Sequence, residues 1–167
     1  ADKRWRVDEV ADPGWFRRLY ADHLARSGRE SYFDLHHIDT LYEAARQRGQ
    51  AAIRRSVDDA GQVAAAVFTV WDQHRAWYLM STRDPAVSDN GAVSQLLWHC
   101  IRDAAARGLV FDFDGISSPG TARFYAGFGA TMGPRYSVSR ASTGYQLAMA
   151  ARDWVRGRPA RNAFTAP

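Results

Sequence analysis

Two aspartates at the end of a short predicted strand have side chains that can accept protons. Asp112 and Asp114 alternate with two phenylalanines in the run FDFDG over Phe111–Gly115, so an extended backbone places both carboxylates on one face. The C-terminal end of a parallel strand in an open α/β sheet faces the ligand crevice. Either aspartate could therefore act as a general base, and position favours Asp114 with its neighbour Gly115. In the structural alternative, one aspartate caps a turn and the other pairs with an arginine of the third or fourth helix.

The remaining reactive residue types do not form a second pattern. The histidines and Cys100 have no spacing suited to a metal, so we predict no metal site. A lone cysteine excludes a disulfide framework and favours a reducing, cytoplasmic compartment. No run approaches about 18 apolar residues, so we predict no membrane span.

Composition places the chain among globular proteins with a mild basic bias. Its 167 residues are 46% hydrophobic, which fits one domain with a substantial core. The 22 basic and 18 acidic residues give a formal charge of +4, which suits a phosphate-bearing partner. The sequence starts at Ala1 without Met, so we expect a processed chain or one domain of a longer protein.

The first half of the chain predicts a strand, two helices and an antiparallel meander. Asp12 and Pro13 begin the first helix, which ends at Gly28. Asp34 caps the second helix, and Gly49 ends it. The predicted strands are Lys3–Val10, Ala51–Val57, Gln62–Trp71 and Arg75–Thr82, and the last three are joined by the turns Asp58–Gly61 and Asp72–His74.

The second half alternates helix and strand. One of Ser88, Asp89 and Asn90 caps a third helix that closes at Gly108, and Ser118–Pro119 begins a fourth that runs to about Phe128. The predicted strands are Leu109–Asp114 and Arg135–Ser139. Residues Gly144–Val155 fit either a strand or a helix, and residues 157–167 are predicted to be disordered. A meander followed by this alternation predicts a mixed sheet, antiparallel first and parallel later.

On these residues the chain resembles the acyl-CoA-dependent N-acetyltransferase (GNAT) superfamily, most closely its FemAB-like branch. The FDFDG run, a tyrosine at Tyr125 four residues before Gly129, and the order of elements carry the resemblance. It implies an α/β (α+β) fold, a GNAT-like acyl-CoA N-acyltransferase fold with a central mixed sheet flanked by about four helices. A single such domain would cover residues 1–156.

The resemblance implies transfer of an acyl group from acetyl-CoA or another acyl-CoA to the amine of a small molecule or peptide. Tyr125 would protonate the departing thiolate, unless it is a core aromatic beside Phe124 and Phe128, and Asp114 or Asp112 would be the base. The loop and N-terminus of the third helix would hold the cofactor pyrophosphate. The cofactor-binding residues that it implies are Ser88, Asn90, Gly91, Ala92 and Ser118.

Departures from the family pattern leave two alternatives open. Ser88 stands where a basic or amide residue is usual, and Ala130 replaces an aromatic. These departures and the basic balance favour a FemAB-like transferase that takes an aminoacyl group from a charged tRNA and adds it to a cell-wall precursor or small metabolite. They also fit a non-catalytic scaffold half of a larger enzyme. Either alternative is compatible with a homodimer or a second GNAT-like domain.

Overall fold

The computed structural model describes residues 5–31, 33–84, 86–87, 91–116, 118–134, 136, 140 and 142–155. The chain forms two compact units, Ala1–Ala130 and Thr131–Pro167. In the described part of the chain, no helix combines the length and apolar character that crossing a lipid bilayer requires.

The first unit is built around a five-stranded mixed sheet. Its strands follow one another in sequence order, β1-β2-β3-β4-β5. The first three pairings are antiparallel, and β4 pairs with β5 in parallel, which confirms the predicted mixed sheet. The elements are β1 (Arg6–Val10), α1 (Pro13–Arg26), α2 (His36–Arg46), β2 (Ala51–Val57), β3 (Val63–Trp71), β4 (Arg75–Arg83), α3 (Ala92–Ala106), β5 (Val110–Asp112) and α4 (Pro119–Ala126).

Two apolar clusters cover the two faces of the sheet. On one face, Leu96 and Leu97 of α3 pack with Ala65 and Val67 of β3. On the other, Phe16 of α1 and Ile38 and Tyr42 of α2 pack with Ala66 and Phe68 of β3. Because successive strand residues point to opposite faces, β3 is apolar at nearly every position.

Aspartate side chains fix both turns of the predicted meander. Asp58 Oδ1 accepts hydrogen bonds from the backbone N–H groups of Ala60 and Gln62 at 3.0 and 2.8 Å. Asp72 Oδ1 accepts from those of His74 and Arg75 at 2.7 and 2.8 Å, and these bonds lower the pKa of Asp72. An Asp at this position is a recognised turn signal, so the sequence located both turns correctly.

The starts of α1 and α4 follow the predicted signals. The start of α3 does not, because its N-cap is Gly91, without a side-chain cap, rather than Ser88, Asp89 or Asn90. Two ends also differ from the predictions. Helix α1 begins at Pro13, and Ser118 Oγ caps α4 by accepting the N–H of Thr121 at 3.1 Å. Helix α4 ends at Ala126 rather than Phe128. Strand β5 ends at Asp112 rather than Asp114, because the backbone turns at Asp114 and Gly115, whose φ angles are 57° and 111°.

The second unit contains helix α5, Thr143–Val155, so the ambiguous segment Gly144–Val155 is a helix. The predicted strand Arg135–Ser139, apart from Tyr136, and the predicted disordered tail 157–167 lie outside the described residues. So do the candidate caps Ser88, Asp89 and Asn90.

We predict that Leu97→Ala destabilises the first unit far more than Leu41→Ala. Leu97 is fully buried between α3 and the sheet, whereas Leu41 of α2 is 44% exposed. A buried Leu→Ala change costs about 2–5 kcal/mol, because it removes apolar burial and leaves a cavity; most surface changes stay within about 0.5 kcal/mol. Urea unfolding of both variants measures the difference, and equal losses would contradict the assigned core.

Candidate active site

Strands β4 and β5 pair over a short distance and then separate. Their register is Arg75 with Val110, Ala76 with Phe111 and Trp77 with Asp112. Strand β4 continues to Arg83, while the chain leaves β5 after Asp112. The separation opens a cleft at the C-terminal ends of two parallel strands, where ligands bind in open α/β sheets.

A β-bulge in β4 lies beside this cleft. Phe68 of β3 is paired with Met80 and the next residue, Thr69, with Tyr78, so Leu79 is an extra residue without a partner. Tyr78 packs on the α3 side of the sheet, whereas Leu79 and Met80 both pack on the α1–α2 side. Bulges redirect side chains and interrupt the hydrogen-bond ladder, often next to active sites.

The cleft contains a cavity of about 320 Å³, which we call the β4–β5 cavity. Its volume lies in the range of small-ligand sites. It is lined by Tyr20 of α1, Tyr125 of α4, Tyr78, Leu79, Met80 and Ser81 of β4, and Phe113, Asp114 and Gly115 after β5. Since Tyr20 belongs to the cluster on one face of the sheet and Phe113 to the cluster on the other, the cavity is bordered by side chains from both faces.

Tyr125 is held by aromatic contacts at the wall of the β4–β5 cavity. Its ring stacks on Phe113 with centroids 4.3 Å apart and meets the edge of Tyr78 at 6.2 Å. Burial, with smaller contributions from Tyr78 and the charge of Asp114, raises the pKa of Tyr125 to about 12. The phenol therefore stays protonated at neutral pH and is available as a hydrogen-bond donor.

Tyr78 and Ser81 are cavity residues that the sequence analysis did not identify. Their hydroxyl groups form a short hydrogen bond with each other, and burial raises the pKa of Tyr78. An aromatic on a meander strand usually indicates sheet packing, so Tyr78 gave no separate signal. The one available signal is the run Trp77–Met80, in which four large residues break the alternation expected of a strand.

The two predicted aspartates occupy different positions. Asp114 lines the β4–β5 cavity. Asp112 does not; its Oδ2 pairs with Arg75 Nη1 at 2.7 Å, and its Oδ1 accepts the backbone N–H of Asp114 at 2.9 Å. Asp112, at the last pair of the register, thus ties β5 to Arg75 at the first pair. The structural alternative predicted such an arginine pair, although this arginine comes from a strand rather than from a helix.

The described cofactor-binding candidates, Gly91, Ala92 and Ser118, are not among the residues that line the cavity. Gly91 precedes α3 with a left-handed φ of 89°, and Ala92, the first residue of that helix, is buried. Ser118 is engaged in capping α4. Ser88 and Asn90 lie outside the described residues. Within the described ranges, no three His, Cys, Asp or Glu side chains converge as metal ligands would.

Comparison with known families identifies the domain. The model of the acetyltransferase (GNAT) domain matches residues 1–125, three quarters of the chain. The chain belongs to the GNAT acetyltransferase family. A comparison with proteins of curated function finds no match.

Solved structures share this GNAT fold at low sequence identity. A predicted acetyltransferase from Clostridium acetobutylicum, solved with acetyl-CoA, has 11% identity and a TM-score of 0.61, with 81% of this chain and 94% of that chain covered. An acetyltransferase from Trypanosoma brucei has 11% identity and a TM-score of 0.55, with 82% and 99% covered. Glucosamine-6-phosphate N-acetyltransferase from Arabidopsis thaliana has 11% identity and a TM-score of 0.56, with 83% and 99% covered. These matches confirm the predicted fold.

We predict that Tyr125 makes the GNAT domain lose stability in alkaline solution. Because the pKa is raised to about 12 in the folded protein, the unfolded chain ionises first, near pH 10. Stability from this group is complete below about pH 10 and is lost as pH rises towards about 12. Urea unfolding at increasing pH measures this effect. Above about pH 10, the free energy of unfolding should fall less steeply for Tyr125→Phe than for wild type.

The control for this comparison is the neutral range, where both proteins should respond to pH in the same way. If the free energy of unfolding falls equally steeply with alkaline pH in the two proteins, the Tyr125 hydroxyl is not desolvated in the folded domain.

Proposed function

We propose that this GNAT domain is an N-acyltransferase that moves an acyl group from an acyl-CoA to an amine. The observation that carries the proposal is the convergence of Asp114 and Tyr125 on one cavity between separating parallel strands. A carboxylate can accept the proton that an attacking amine loses, and a protonated phenol can donate to the leaving group.

The donor is proposed to lie along the open edge of β4. Beyond Trp77, this edge has no strand partner in the described part of the chain, so its backbone groups are available to an extended amide-containing arm such as pantetheine. The N-terminus of α3, including Gly91, would face the pyrophosphate. The acetyl-CoA in the Clostridium acetobutylicum neighbour supports an acyl-CoA donor.

The reaction forms one bond and breaks another. The amine nitrogen attacks the thioester carbonyl carbon, and Asp114 accepts the proton that the nitrogen loses. Backbone N–H groups near the Leu79 bulge are proposed to stabilise the negative charge on the carbonyl oxygen. The C–S bond then breaks, and the electron pair leaves with sulfur.

Tyr125 is proposed to stabilise the departing sulfur. Its pKa of about 12 lies well above that of a thiol, about 8.5, so complete proton transfer to the thiolate is uphill. We therefore assign Tyr125 a hydrogen bond to the sulfur as its charge develops. The thiolate then takes its proton from water.

The donor is tested by thermal unfolding with acetyl-CoA, a longer acyl-CoA and free CoA. A ligand at 100 times its dissociation constant stabilises the native state by about 2.7 kcal/mol, which raises Tm measurably. We expect acetyl-CoA to stabilise the domain. If no CoA compound raises Tm at millimolar concentration, the acyl-CoA donor is excluded. An assay with charged tRNA then separates the two alternatives, because a FemAB-like transferase would transfer the aminoacyl group and a scaffold would not.

We predict that Tyr125→Phe lowers kcat about 10- to 100-fold, the effect of losing a hydrogen bond to a charged group. The variant should fold, because the ring that stacks on Phe113 is retained. Acetyl transfer from acetyl-CoA, measured as CoA release, gives kcat. Tyr145→Phe is the matched control, since Tyr145 is 59% exposed and lies on α5. Unchanged turnover in Tyr125→Phe would remove the proposed role.

A further inference from the structure

We propose that Tyr78 and Ser81 act together as a positioning pair for Tyr125. Their hydroxyl groups are hydrogen-bonded to each other across the Leu79 bulge, and the ring of Tyr78 packs against the ring of Tyr125. The kinetic consequence of this inference rests on the proposed acyltransferase function. The inference adds two residues that act through Tyr125 rather than on the substrate.

The bulge brings Tyr78 and Ser81 to one face of the sheet. In a regular strand, residues three positions apart point to opposite faces. Here Leu79 is an extra residue between them, and Ser81 lies opposite Val67 of β3. Val67 and Tyr78 both pack on the α3 side of the sheet. Because directly paired residues of neighbouring strands share a face, Ser81 lies on that side as well.

The hydrogen bond between the two hydroxyl groups therefore depends on the bulge. Without the extra residue, Tyr78 and Ser81 would lie on opposite faces, and their hydroxyl groups could not meet. Either hydroxyl can donate, since each is both a donor and an acceptor. Loss of the Ser81 hydroxyl would leave the half-buried Tyr78 phenol without this partner, which is unfavourable. The pair thus stabilises the bulged register over the regular one.

The ring of Tyr78 connects β4 to the residues that surround Tyr125. It lies nearly perpendicular to the ring of Phe113, with centroids 6.4 Å apart, and to that of Tyr125, with centroids 6.2 Å apart. Phe113 in turn stacks on Tyr125 at 4.3 Å. The three rings form a cluster at the wall of the β4–β5 cavity. Since Ser81 holds the hydroxyl end of Tyr78, it restrains one of the two rings that contact Tyr125 in this cluster.

This arrangement predicts that the pair affects the reaction through Tyr125. The proposed hydrogen bond from Tyr125 to the departing sulfur requires the phenol to be in place as charge develops, and a displaced donor stabilises that charge less well. Supporting contacts preserve such geometry. Loss of the Ser81 hydroxyl should therefore lower kcat and leave the KM for acetyl-CoA nearly unchanged, because the affected contact forms only in the transition state.

Carbon-13 NMR of labelled tyrosine rings tests the positioning without any substrate. The Tyr125 resonance is assigned by its loss in Tyr125→Phe. Ser81→Ala should shift this resonance, and Ser81→Thr, which keeps a hydroxyl, should return it to the wild-type position. Tyr78→Phe should also shift it, and this variant removes the phenol hydroxyl instead of leaving it without a partner, so it is expected to fold.

Ser56→Ala is the matched control, because Ser56 is a fully buried serine on β2 of the same sheet. It should leave the Tyr125 resonance in place. A Tyr125 resonance that stays unmoved in both Ser81→Ala and Tyr78→Phe, or that moves equally in Ser56→Ala, overturns the inference.

A double-mutant cycle tests the kinetic consequence with acetyl-CoA and two acceptor probes, 2-phenylethylamine and glucosamine 6-phosphate. Ser81→Ala should lower kcat about 10-fold in the wild-type background. It should cause no further loss in a Tyr125→Phe background, because effects that pass through one group are not additive. Equal losses in both backgrounds would indicate a general structural role and overturn the inference, as would an unchanged kcat in Ser81→Ala.

The two experiments separate failure of the inference from failure of the proposed function. The NMR result decides the positioning in every case, since it needs no reaction. An unmoved Tyr125 resonance, together with CoA release by the wild-type domain, overturns only the inference. A moved resonance, with no CoA release from either probe and no rise in Tm with any CoA compound, overturns the proposed function and leaves the positioning pair intact.

Discussion

The separation of β4 from β5 is the constraint on which the rest of the site depends. The two strands share a three-residue register, and an ion pair joins Asp112, at its last pair, to Arg75, at its first. Beyond that register, no strand among the described residues pairs with the β5 side of β4, so the backbone N–H and C=O groups on this edge require another hydrogen-bond partner. The same separation creates the β4–β5 cavity and leaves Asp114 at its wall, so the candidate site lies where the sheet pairing ends.

A well-packed frame holds these strands in place. Helix α3 is tied to the sheet by buried Arg54, which pairs with Asp103 at 3.0 Å, and Asp103 also pairs with Arg107 at 3.2 Å. The Arg107 guanidinium lies 4.4 Å from the centre of the Trp71 ring. These contacts lie next to the paired residues Ala76 of β4 and Phe111 of β5. Rigid support of this kind lets Tyr125, Tyr78 and Asp114 keep their positions without being fixed by a ligand.

Local signals in the sequence predicted much of the fold and part of the candidate site. The turns at Asp58 and Asp72 and the helix starts at Pro13 and Ser118 depend on neighbouring residues, so the sequence located them. The pairing of Asp112 with Arg75, 37 residues away, is non-local, which is why the sequence did not separate the two aspartates. The Leu79 bulge depends on pairing with β3, and it determines that Tyr78 reaches the cavity. The roles of Asp114 and Tyr125 remain predictions.

Hydrogen exchange of the amides along β4 would locate an acyl-CoA donor on the sheet, because it reports where a ligand binds rather than whether one binds. With acetyl-CoA present, we expect slower exchange in residues 78–83 and 113–115, where an acyl-CoA arm would take up the open strand edge. Exchange in β1, at the opposite edge of the sheet, should stay unchanged. Protection confined to other parts of the chain, or none at saturating acetyl-CoA, would contradict the proposal that the β4–β5 separation is the donor site.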